Sequence, residues 1–215
     1  MDDLPASFTV GFDLDMTLVD SRPGIAATYR ALSARTGVHV DADLAVTRLG
    51  PPLAHEMAHW FPPERVDAAI AEYRALYPAH AIAASTELPG AAAALAAVRA
   101  AGGRTLVVTA KLARLARLHL DHLGLAPDEV VGEAWAGGKA AALRSRDAGA
   151  YVGDHVADMA AARAAGAVGV GVATGPCDAD ELRTAGAGAV LADLTAFPAW
   201  LDDWLTISVF PGARR

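Results

Sequence analysis

The sequence of 215 residues contains a single cysteine, Cys177. One cysteine cannot form an intramolecular disulfide and cannot supply the several thiolates of a structural zinc site. Cys177 lies in a Gly-Pro-Cys-Asp turn with no base beside it, so we expect it to be structural or incidental rather than catalytic.

The chain also lacks long apolar runs and clusters of basic residues. No run approaches the roughly 18 apolar residues that suggest a membrane-spanning helix, and the acidic start, Met1–Pro5, has no apolar signal segment. Lys and Arg total 18 against 25 Asp and Glu, which gives a formal charge of −7. We therefore predict a cytoplasmic protein that binds neither membranes nor nucleic acids.

What is present is typical of a globular protein: 53% apolar and 20% charged residues, in a chain long enough for one or two domains. An apolar strand over residues 9–13 is followed by helical segments, broken by turns, from residue 23 to about residue 82. After Pro89-Gly90 helix and strand patterns alternate, which is typical of a parallel sheet covered by helices on both faces. We predict an α/β core domain (residues 1–19 and 87–215) and an inserted helical cap domain (residues 20–86).

The alternating part can be divided further. The predicted strands cover residues 105–109, 130–131, 150–153, 167–172 and a short segment near 190. The predicted helices cover residues 91–101, 112–123, a segment from about 139, and residues 156–165, 179–185 and 195–205.

Two aspartates, Asp13 and Asp15, follow the first strand. Residues two apart on an extended strand face the same way, so both carboxylates are expected at the carboxyl end of a buried strand, where open α/β sheets bind ligands. A carboxylate such as Asp13 can attack phosphorus directly and form an acyl phosphate. Asp15 is then able to protonate the leaving oxygen and later to accept a proton from water. This pair indicates phosphoryl transfer.

A second acidic pair, Asp154 and Asp158, follows the strand predicted over residues 150–153. Mg²⁺ prefers oxygen ligands, and we predict that Asp13, the backbone carbonyl of Asp15 and Asp154 bind it. Asp158 lies one helical turn further on and is a metal ligand directly or through water.

Three residues are predicted to bind the substrate: Thr109, Ala110 and Lys139. Thr109 ends a predicted strand and is able to donate a hydrogen bond to a phosphoryl oxygen, and Ala110 follows it in the same loop. Lys139 lies at a predicted helix amino terminus, where the helix itself already favours anions.

Together these segments resemble the haloacid dehalogenase-like (HAD) hydrolase superfamily, in particular its phosphoglycolate phosphatase-like branch. The four matching motifs are Phe12–Ser21 (FDLDMTLVDS), Val107–Lys111, Lys139 and Gly153–Asp158. The resemblance covers about residues 8 to 205.

The resemblance implies a Rossmann-like core with a helical cap inserted after the first motif. It implies Asp13 as nucleophile, Asp15 as acid and base, Thr109 and Lys139 as phosphate ligands, and Mg²⁺ as cofactor. Because Asp15 is present, the pattern is typical of a phosphatase or a phosphomutase rather than of a dehalogenase, which lacks that acid.

The sequence departs from the family pattern at two positions. Met16 stands where Gly is usual after the second aspartate, and we expect its side chain to reshape the cap-side entrance of the site. Ala140 stands where Pro commonly follows the third-motif lysine, which leaves Lys111 as an alternative phosphate-binding lysine.

A competing motif lies in the cap, where His55, Glu56 and His59 match the zinc-peptidase pattern H-E-x-x-H. The segment lies between two Pro-Pro pairs, and Arg65 occupies the place of the third histidine in the extended pattern. We therefore interpret the match as accidental. These cap residues are instead expected near the entrance to the substrate site, together with Arg48 and Trp60.

We predict a Mg²⁺-dependent phosphatase that acts on a small phosphorylated metabolite through an aspartyl-phosphate, as a monomer or homodimer. The alternatives are a sugar phosphomutase of the same superfamily, a zinc peptidase and a binding module without turnover. The aromatic residues Trp200, Trp204 and Phe210 are predicted to pack in the core.

Overall fold

The computed structural model describes residues 8–208. In this range the chain forms eight strands: β1 (Thr9–Phe12), β2 (Val19–Asp20), β3 (Thr86–Glu87), β4 (Arg104–Val108), β5 (Glu129–Val131), β6 (Ala148–Gly153), β7 (Val168–Val172) and β8 (Ala189–Leu191). It also forms ten α-helices: α1 (Arg22–Thr36), α2 (Ala42–Ala45), α3 (Leu53–Met57), α4 (Pro63–His80), α5 (Ala91–Ala100), α6 (Ala113–Leu123), α7 (Gly137–Arg144), α8 (Val156–Ala165), α9 (Ala179–Thr184) and α10 (Phe197–Ser208).

Six strands form one sheet in the order β5-β4-β1-β6-β7-β8, and every neighbouring pair is parallel. The first strand of the chain therefore lies in the middle of the sheet, between β4 and β6. Parallel strands need helical crossovers that cover the faces of the sheet, and the strand interiors are accordingly buried. This arrangement confirms the predicted α/β, Rossmann-like fold.

Alternation along the strands sends side chains into two different apolar layers. Val107 packs in the layer that α5, α6 and α10 complete, whereas Leu106 and Val108 pack in the layer that α7 and α8 complete. Tyr151 of β6 belongs to the second layer, where its hydroxyl donates a hydrogen bond of 2.8 Å to the carbonyl of Val108. Helices thus cover both faces of the sheet.

Helices α1 to α4 form a cap between the two short strands β2 and β3. These strands pair antiparallel, with Val19 opposite Glu87 and Asp20 opposite Thr86, so the chain leaves the sheet and returns at the same place. The cap helices share an apolar cluster that includes Leu32 and Tyr73, and Leu115 of α6 in the core also belongs to it. The division into two domains at these positions stays a prediction.

The predicted elements agree with the observed ones to within a few residues. Helix α7 begins at Gly137, and α10 begins at Phe197 and extends to Ser208. Trp200 and Trp204 stack with ring centroids 5.7 Å apart and pack against the core, while Phe210 lies outside the described residues. Within the described range, no helix has both the length and the apolar character needed to span a membrane.

The start of α1 crosses the end of α4 at Gly24. A Cβ atom built on Gly24 would lie 2.2 Å from the carbonyl oxygen of Ala81, a backbone atom that cannot rotate away. We expect Gly24→Ala to lower the free energy of unfolding by about 1 to 3 kcal/mol, because the two helices must move apart. Urea unfolding measures the change.

The matched control is Gly137→Ala, which adds the same methyl group at a helical position with nothing within 4 Å. The control is expected to keep the stability of the wild type. Equal stability of Gly24→Ala and the control would contradict the close approach of α1 and α4.

Candidate active site

The sheet brings the predicted residues together at one edge. Asp13 follows β1, Thr109 follows β4 and Asp154 follows β6, and these three strands are neighbours whose carboxyl ends point the same way. Lys139, the third residue of α7, has its ammonium 3.0 Å from Asp13 Oδ1. The expectation that these loops meet at one site is therefore met by the topology.

Three carboxylates are buried at this edge beside one lysine. Asp13, Asp154 and Asp158 are at most 6% exposed, and one oxygen from each lies within 4.8 Å of the others. The ammonium of Lys139 also contacts Asp158 Oδ1 at 2.7 Å. One ammonium cannot neutralise three carboxylates, so the cluster is deficient in positive charge.

The pKa values of these groups follow from that deficiency. Burial, together with the charges of Asp158 and Asp15, raises the pKa of Asp13 to about 7 although Lys139 acts in the opposite sense. Burial, together with the charges of Asp13 and Asp158, raises the pKa of Asp154 well above 3.8. Burial alone would lower the pKa of Lys139, but the two carboxylates that it contacts raise it. Each shift would be relieved by a second cation.

The donor set fits an oxygen-liganded divalent cation. Asp13 Oδ1 is buried and has no well-aligned hydrogen bond. Asp154 accepts a hydrogen bond of 2.8 Å from Thr17 through Oδ1 alone. Its Oδ2 faces Gly175, where a Cβ atom would lie 1.8 Å away. Asp13 and Asp154 thus each have a carboxylate oxygen available as a ligand for Mg²⁺.

Asp158 is already fully engaged. One of its oxygens contacts Lys139, and the other accepts a hydrogen bond from the backbone N–H of His155 at the start of α8. Gly153 leaves room for the Asp158 carboxylate, because a Cβ atom on residue 153 would lie 2.4 Å from Asp158 Oδ2. These contacts fit a role of Asp158 in orienting Lys139 more closely than they fit a role as a direct metal ligand.

Asp15 lies in a different environment from Asp13. Its Oδ1 is 3.0 Å from the ammonium of Lys111 and accepts a hydrogen bond from Ser21. Burial would raise the pKa of Asp15, but Lys111 and Ser21 together hold it below 3.8. Lys139 is thus the lysine that contacts Asp13, whereas Lys111, the alternative phosphate-binding lysine, contacts Asp15.

A hydrogen-bonded chain connects Lys111 to the cap. Its ammonium can only donate, and it does so to the Tyr77 hydroxyl at 2.6 Å. The Tyr77 proton is therefore directed to Nε2 of His119 at 2.8 Å, which assigns the remaining ring proton to Nδ1. Nδ1–H donates to Ser85 Oγ at 2.8 Å, and Ser85 donates to the carbonyl of Ile82. Every member is satisfied only when His119 is neutral.

This chain, which we call the Lys111–Ser85 network, was not found from the sequence. Tyr77 lies on α4 of the cap, and His119 lies on α6 of the core. Their contact joins residues 42 positions apart. It depends on how α4 packs over the sheet edge, and no local pattern carries that information.

A cavity of about 540 Å³ lies between the cap and this edge of the sheet. Its lining includes Asp13, Asp15, Thr109, Ala110 and Lys111 from the core side. The cap side contributes three tyrosines and several apolar residues, and it also contributes Arg48 and Glu56. The expected position of Arg48 near the substrate site therefore agrees with the structure.

Met16 does not line the cavity, which corrects the expectation that its side chain reshapes the entrance. The residue is 2% exposed and has a φ of 61°, the left-handed conformation that glycine adopts without strain. Its backbone is fixed by hydrogen bonds to Val19 and from Thr174. Burial of the thioether side chain offsets the backbone strain at this position.

The zinc-peptidase motif has no metal-binding geometry. Helix α3 ends at Met57, before His59, and both histidines are exposed. The Glu56 carboxylate is engaged by Arg48 and by the indole N–H of Trp60. Of the described residues, only Asp13, Asp154 and Asp158 form a group with the spacing of metal ligands. Of the cap residues expected near the entrance, Arg48 and Glu56 line the cavity, whereas His55, His59 and Trp60 do not.

Comparison with known families identifies the class of this site. The model of haloacid dehalogenase-like hydrolases matches residues 10–163, and a second, HAD-hydrolase-like model matches residues 136–197. The first match covers well over half of the chain. The protein therefore belongs to the HAD-like hydrolase family, as its four motifs predicted.

Solved structures of this family share the fold. A predicted phosphatase from Clostridium acetobutylicum superposes with a TM-score of 0.79 at 26% identity, covering 92% of this chain and 99% of that one. A haloacid dehalogenase-like protein from Streptococcus pneumoniae gives a TM-score of 0.79 at 22% identity, covering 91% and 98%. A predicted phosphoglycolate phosphatase from Haemophilus somnus gives 0.77 at 20%, also covering 91% and 98%. The prediction of a phosphatase-like hydrolase of this family is confirmed at that level.

A curated relative has a different description. The tyrosine-protein kinase PtkA of Mycobacterium tuberculosis H37Rv is 37% identical over 115 residues. The match covers 53% of this chain and 40% of PtkA, so it spans about two fifths of that relative's length.

The Lys111–Ser85 network leads to a prediction about pH. Burial, and then the nearby ammonium of Lys111, lower the pKa of His119 from 6.5 to about 4, against the opposing charge of Asp15; His122 acts in the same sense as Lys111. The unfolded chain therefore binds a proton at a higher pH than the folded one. The stabilisation of the folded state that neutral His119 contributes is complete above pH 6.5 and decreases as the pH falls toward 4.

We expect wild type to lose about 2 kcal/mol more unfolding free energy between pH 8 and pH 5 than His119→Gln, which has no titrating ring. Urea unfolding of both proteins at the two pH values gives this difference directly, and it cancels the titration of the active-site carboxylates. Equal losses in the two proteins would show that His119 titrates normally in the folded state.

Proposed function

We propose that the protein is a Mg²⁺-dependent phosphatase that hydrolyses a monoester of a small phosphorylated metabolite through an aspartyl-phosphate on Asp13. The observation that carries the proposal is that Asp13, which lines a cavity large enough for a metabolite, pairs with Lys139 among further buried carboxylates. A nucleophile, a phosphate-binding cation and an enclosed volume are the parts that this chemistry requires.

In the first step a carboxylate oxygen of Asp13 attacks phosphorus and the bond from phosphorus to the leaving oxygen breaks. The Lys139 ammonium, beside Asp13, and the Thr109 hydroxyl bind phosphoryl oxygens, and Thr109 and Ala110 line the cavity. Asp15 delivers a proton to the leaving oxygen. Lys111 holds Asp15 as a carboxylate in the free enzyme, so Asp15 gains this proton when the substrate binds. The monoanion of a phosphate monoester, whose second pKa is about 6, carries a proton that it can supply.

In the second step a water molecule attacks phosphorus, and the bond to Asp13 breaks. Asp15 accepts a proton from this water, which leaves inorganic phosphate and the free Asp13 carboxylate. The same residue thus serves as acid and then as base. Closure of the cap over the cavity excludes other water from the intermediate.

Asp13, Asp154 and the backbone carbonyl of Asp15 are the groups that would hold Mg²⁺, and Asp158 would orient Lys139 or bind the ion through water. When bound, the ion supplies the positive charge that screens the approach of one anion to another. The buried carboxylate oxygens described above support this assignment.

A second candidate function is transfer of the phosphoryl group from Asp13 to an acceptor other than water. The observation that favours it is the 37% identity to a segment of a protein named as a tyrosine kinase. A sugar phosphomutase would likewise transfer the phosphoryl group to an acceptor other than water. The ratio of inorganic phosphate released to substrate consumed separates the candidates, since only a phosphatase gives equal amounts.

The nucleophile is tested with p-nitrophenyl phosphate. We expect turnover in Mg²⁺, none in EDTA, and a loss of at least about 1,000-fold in Asp13→Asn, because an amide cannot form the acyl phosphate. Release of p-nitrophenol is followed by absorbance, and circular dichroism checks that the variant is folded. Activity in Asp13→Asn comparable to wild type would exclude Asp13 as the nucleophile.

The role of Asp15 is tested by changing the leaving group. We expect Asp15→Asn to lose about 100-fold to 10,000-fold in kcat for an alkyl phosphate, because the basic alkoxide needs a proton. The loss for p-nitrophenyl phosphate is expected to be much smaller, since nitrophenolate leaves without one. Equal losses for both substrates would contradict the role of general acid.

A further inference from the structure

The charges on the cap side of the cavity occur as neutral pairs. Arg48 binds the carboxylate of Glu56 through two nitrogens, at 2.5 and 3.0 Å. The indole N–H of Trp60 donates to the same carboxylate at 2.7 Å, and the guanidinium lies over the Trp60 ring with its central carbon 5.7 Å from the ring centroid. Because two nitrogens of Arg48 contact the carboxylate of Glu56, the positive charge of Arg48 is compensated.

The remaining cations of the cavity are compensated as well. Lys111 is held by Asp15, and the guanidinium of Arg74 lies 3.9 Å from the carboxylate of Glu133, which also lines the cavity. Asp67 adds a further carboxylate to the lining. Beyond the phosphate-binding floor, the described lining therefore contains no excess of positive charge. A second negative group on the substrate would have to compete with Glu56 for Arg48.

The same wall offers neutral contacts instead. Tyr29, Tyr73 and Tyr77 form a row with ring centroids 4.8 and 5.6 Å apart. The Tyr77 hydroxyl is used by Lys111 and His119, whereas those of Tyr29 and Tyr73 have no hydrogen-bond partner among the described residues. Burial raises the pKa of both tyrosines above 10, so each hydroxyl stays protonated. They are available to donate to or accept from a ligand.

The size of the cavity is also informative. Its volume of about 540 Å³ falls within the range of pockets that enclose ring-sized ligands. Apolar side chains complete the wall beside the tyrosines, among them Leu53, Ile70 and Leu115. A two-carbon acid such as the glycolate part of phosphoglycolate would leave most of this apolar surface without contact.

We infer that the substrate is a phosphate monoester of an uncharged, ring-sized alcohol, rather than of a hydroxy acid. The alcohol contacts the row of tyrosines, and Glu56 determines the preference because it neutralises Arg48. The inference rests on the proposed function, since it concerns the group that departs from the phosphate bound at Asp13.

The experiment compares three substrates in Mg²⁺: benzyl phosphate, 2-hydroxyethyl phosphate and phosphoglycolate. The last two have closely similar size and differ chiefly in a CH₂OH group against a carboxylate. We expect kcat/KM to fall in the order given, with at least about a tenfold difference between the last two, which is a modest electrostatic discrimination. A preference for phosphoglycolate over both neutral esters would overturn the inference while leaving the phosphatase proposal intact.

Two variants test the part played by Glu56. Glu56→Gln keeps the shape of the side chain and removes its charge, which leaves Arg48 free to attract an anion. We expect the ratio of kcat/KM for phosphoglycolate to that for 2-hydroxyethyl phosphate to rise at least about tenfold. The matched control, Glu72→Gln, removes the same charge from a residue of α4 that pairs with Arg35 outside the cavity, and the ratio is expected to stay unchanged. An unchanged ratio in Glu56→Gln would overturn the assigned role.

A binding measurement separates this inference from the proposed function. Calorimetry with Asp13→Asn in Mg²⁺ records the affinities of the same three esters without turnover. If wild type hydrolyses none of them but the neutral esters bind more tightly, the phosphatase proposal fails and the preference of the cavity stands. If phosphoglycolate binds most tightly, the inference fails whatever the activity.

Discussion

Three carboxylates buried around one ammonium are the constraint on which the rest of the structure depends. Burying unbalanced charge is unfavourable, so the arrangement persists only because the surrounding core holds it in place. The central position of β1 sets Asp13 between the loops that follow β4 and β6. Two glycines, Gly153 and Gly175, give the carboxylates of Asp158 and Asp154 room that any other residue would fill. The stability of the apolar layers thus maintains a site that is poised to accept a cation.

The cap is linked to this site by two independent connections. The β2–β3 ribbon fixes where the cap leaves the sheet, directly after the segment that carries Asp13 and Asp15. The Lys111–Ser85 network joins Tyr77 of the cap to the lysine that pairs with Asp15. A movement of α4 would therefore change the environment of Asp15. In the proposed mechanism, the cap that encloses the leaving group thus also influences the residue that protonates it.

Much of the fold and the floor of the site could be predicted from the sequence because both follow local rules. The alternation of strands and helices gave the parallel sheet, and the two-residue spacing of Asp13 and Asp15 at a strand end gave the pair of carboxylates. The wall of the cavity could not be predicted in this way. The contact of Tyr77 with His119 and the pairing of Arg48 with Glu56 depend on how helices pack. Outside the cavity, the left-handed φ of Met16 was equally unpredictable, because it depends on a turn fixed by hydrogen bonds to Val19 and from Thr174.

The most direct test of the account is to trap the phosphoryl group on the enzyme. A reaction with p-nitrophenyl phosphate in Mg²⁺ is quenched with acid within the first turnover and reduced with borohydride, which converts an aspartyl-phosphate to homoserine. Peptide mass spectrometry then locates the modified residue. The account predicts homoserine at position 13 and an unmodified aspartate at position 15. Modification at another residue, or a phosphorylated histidine or serine instead, would contradict it.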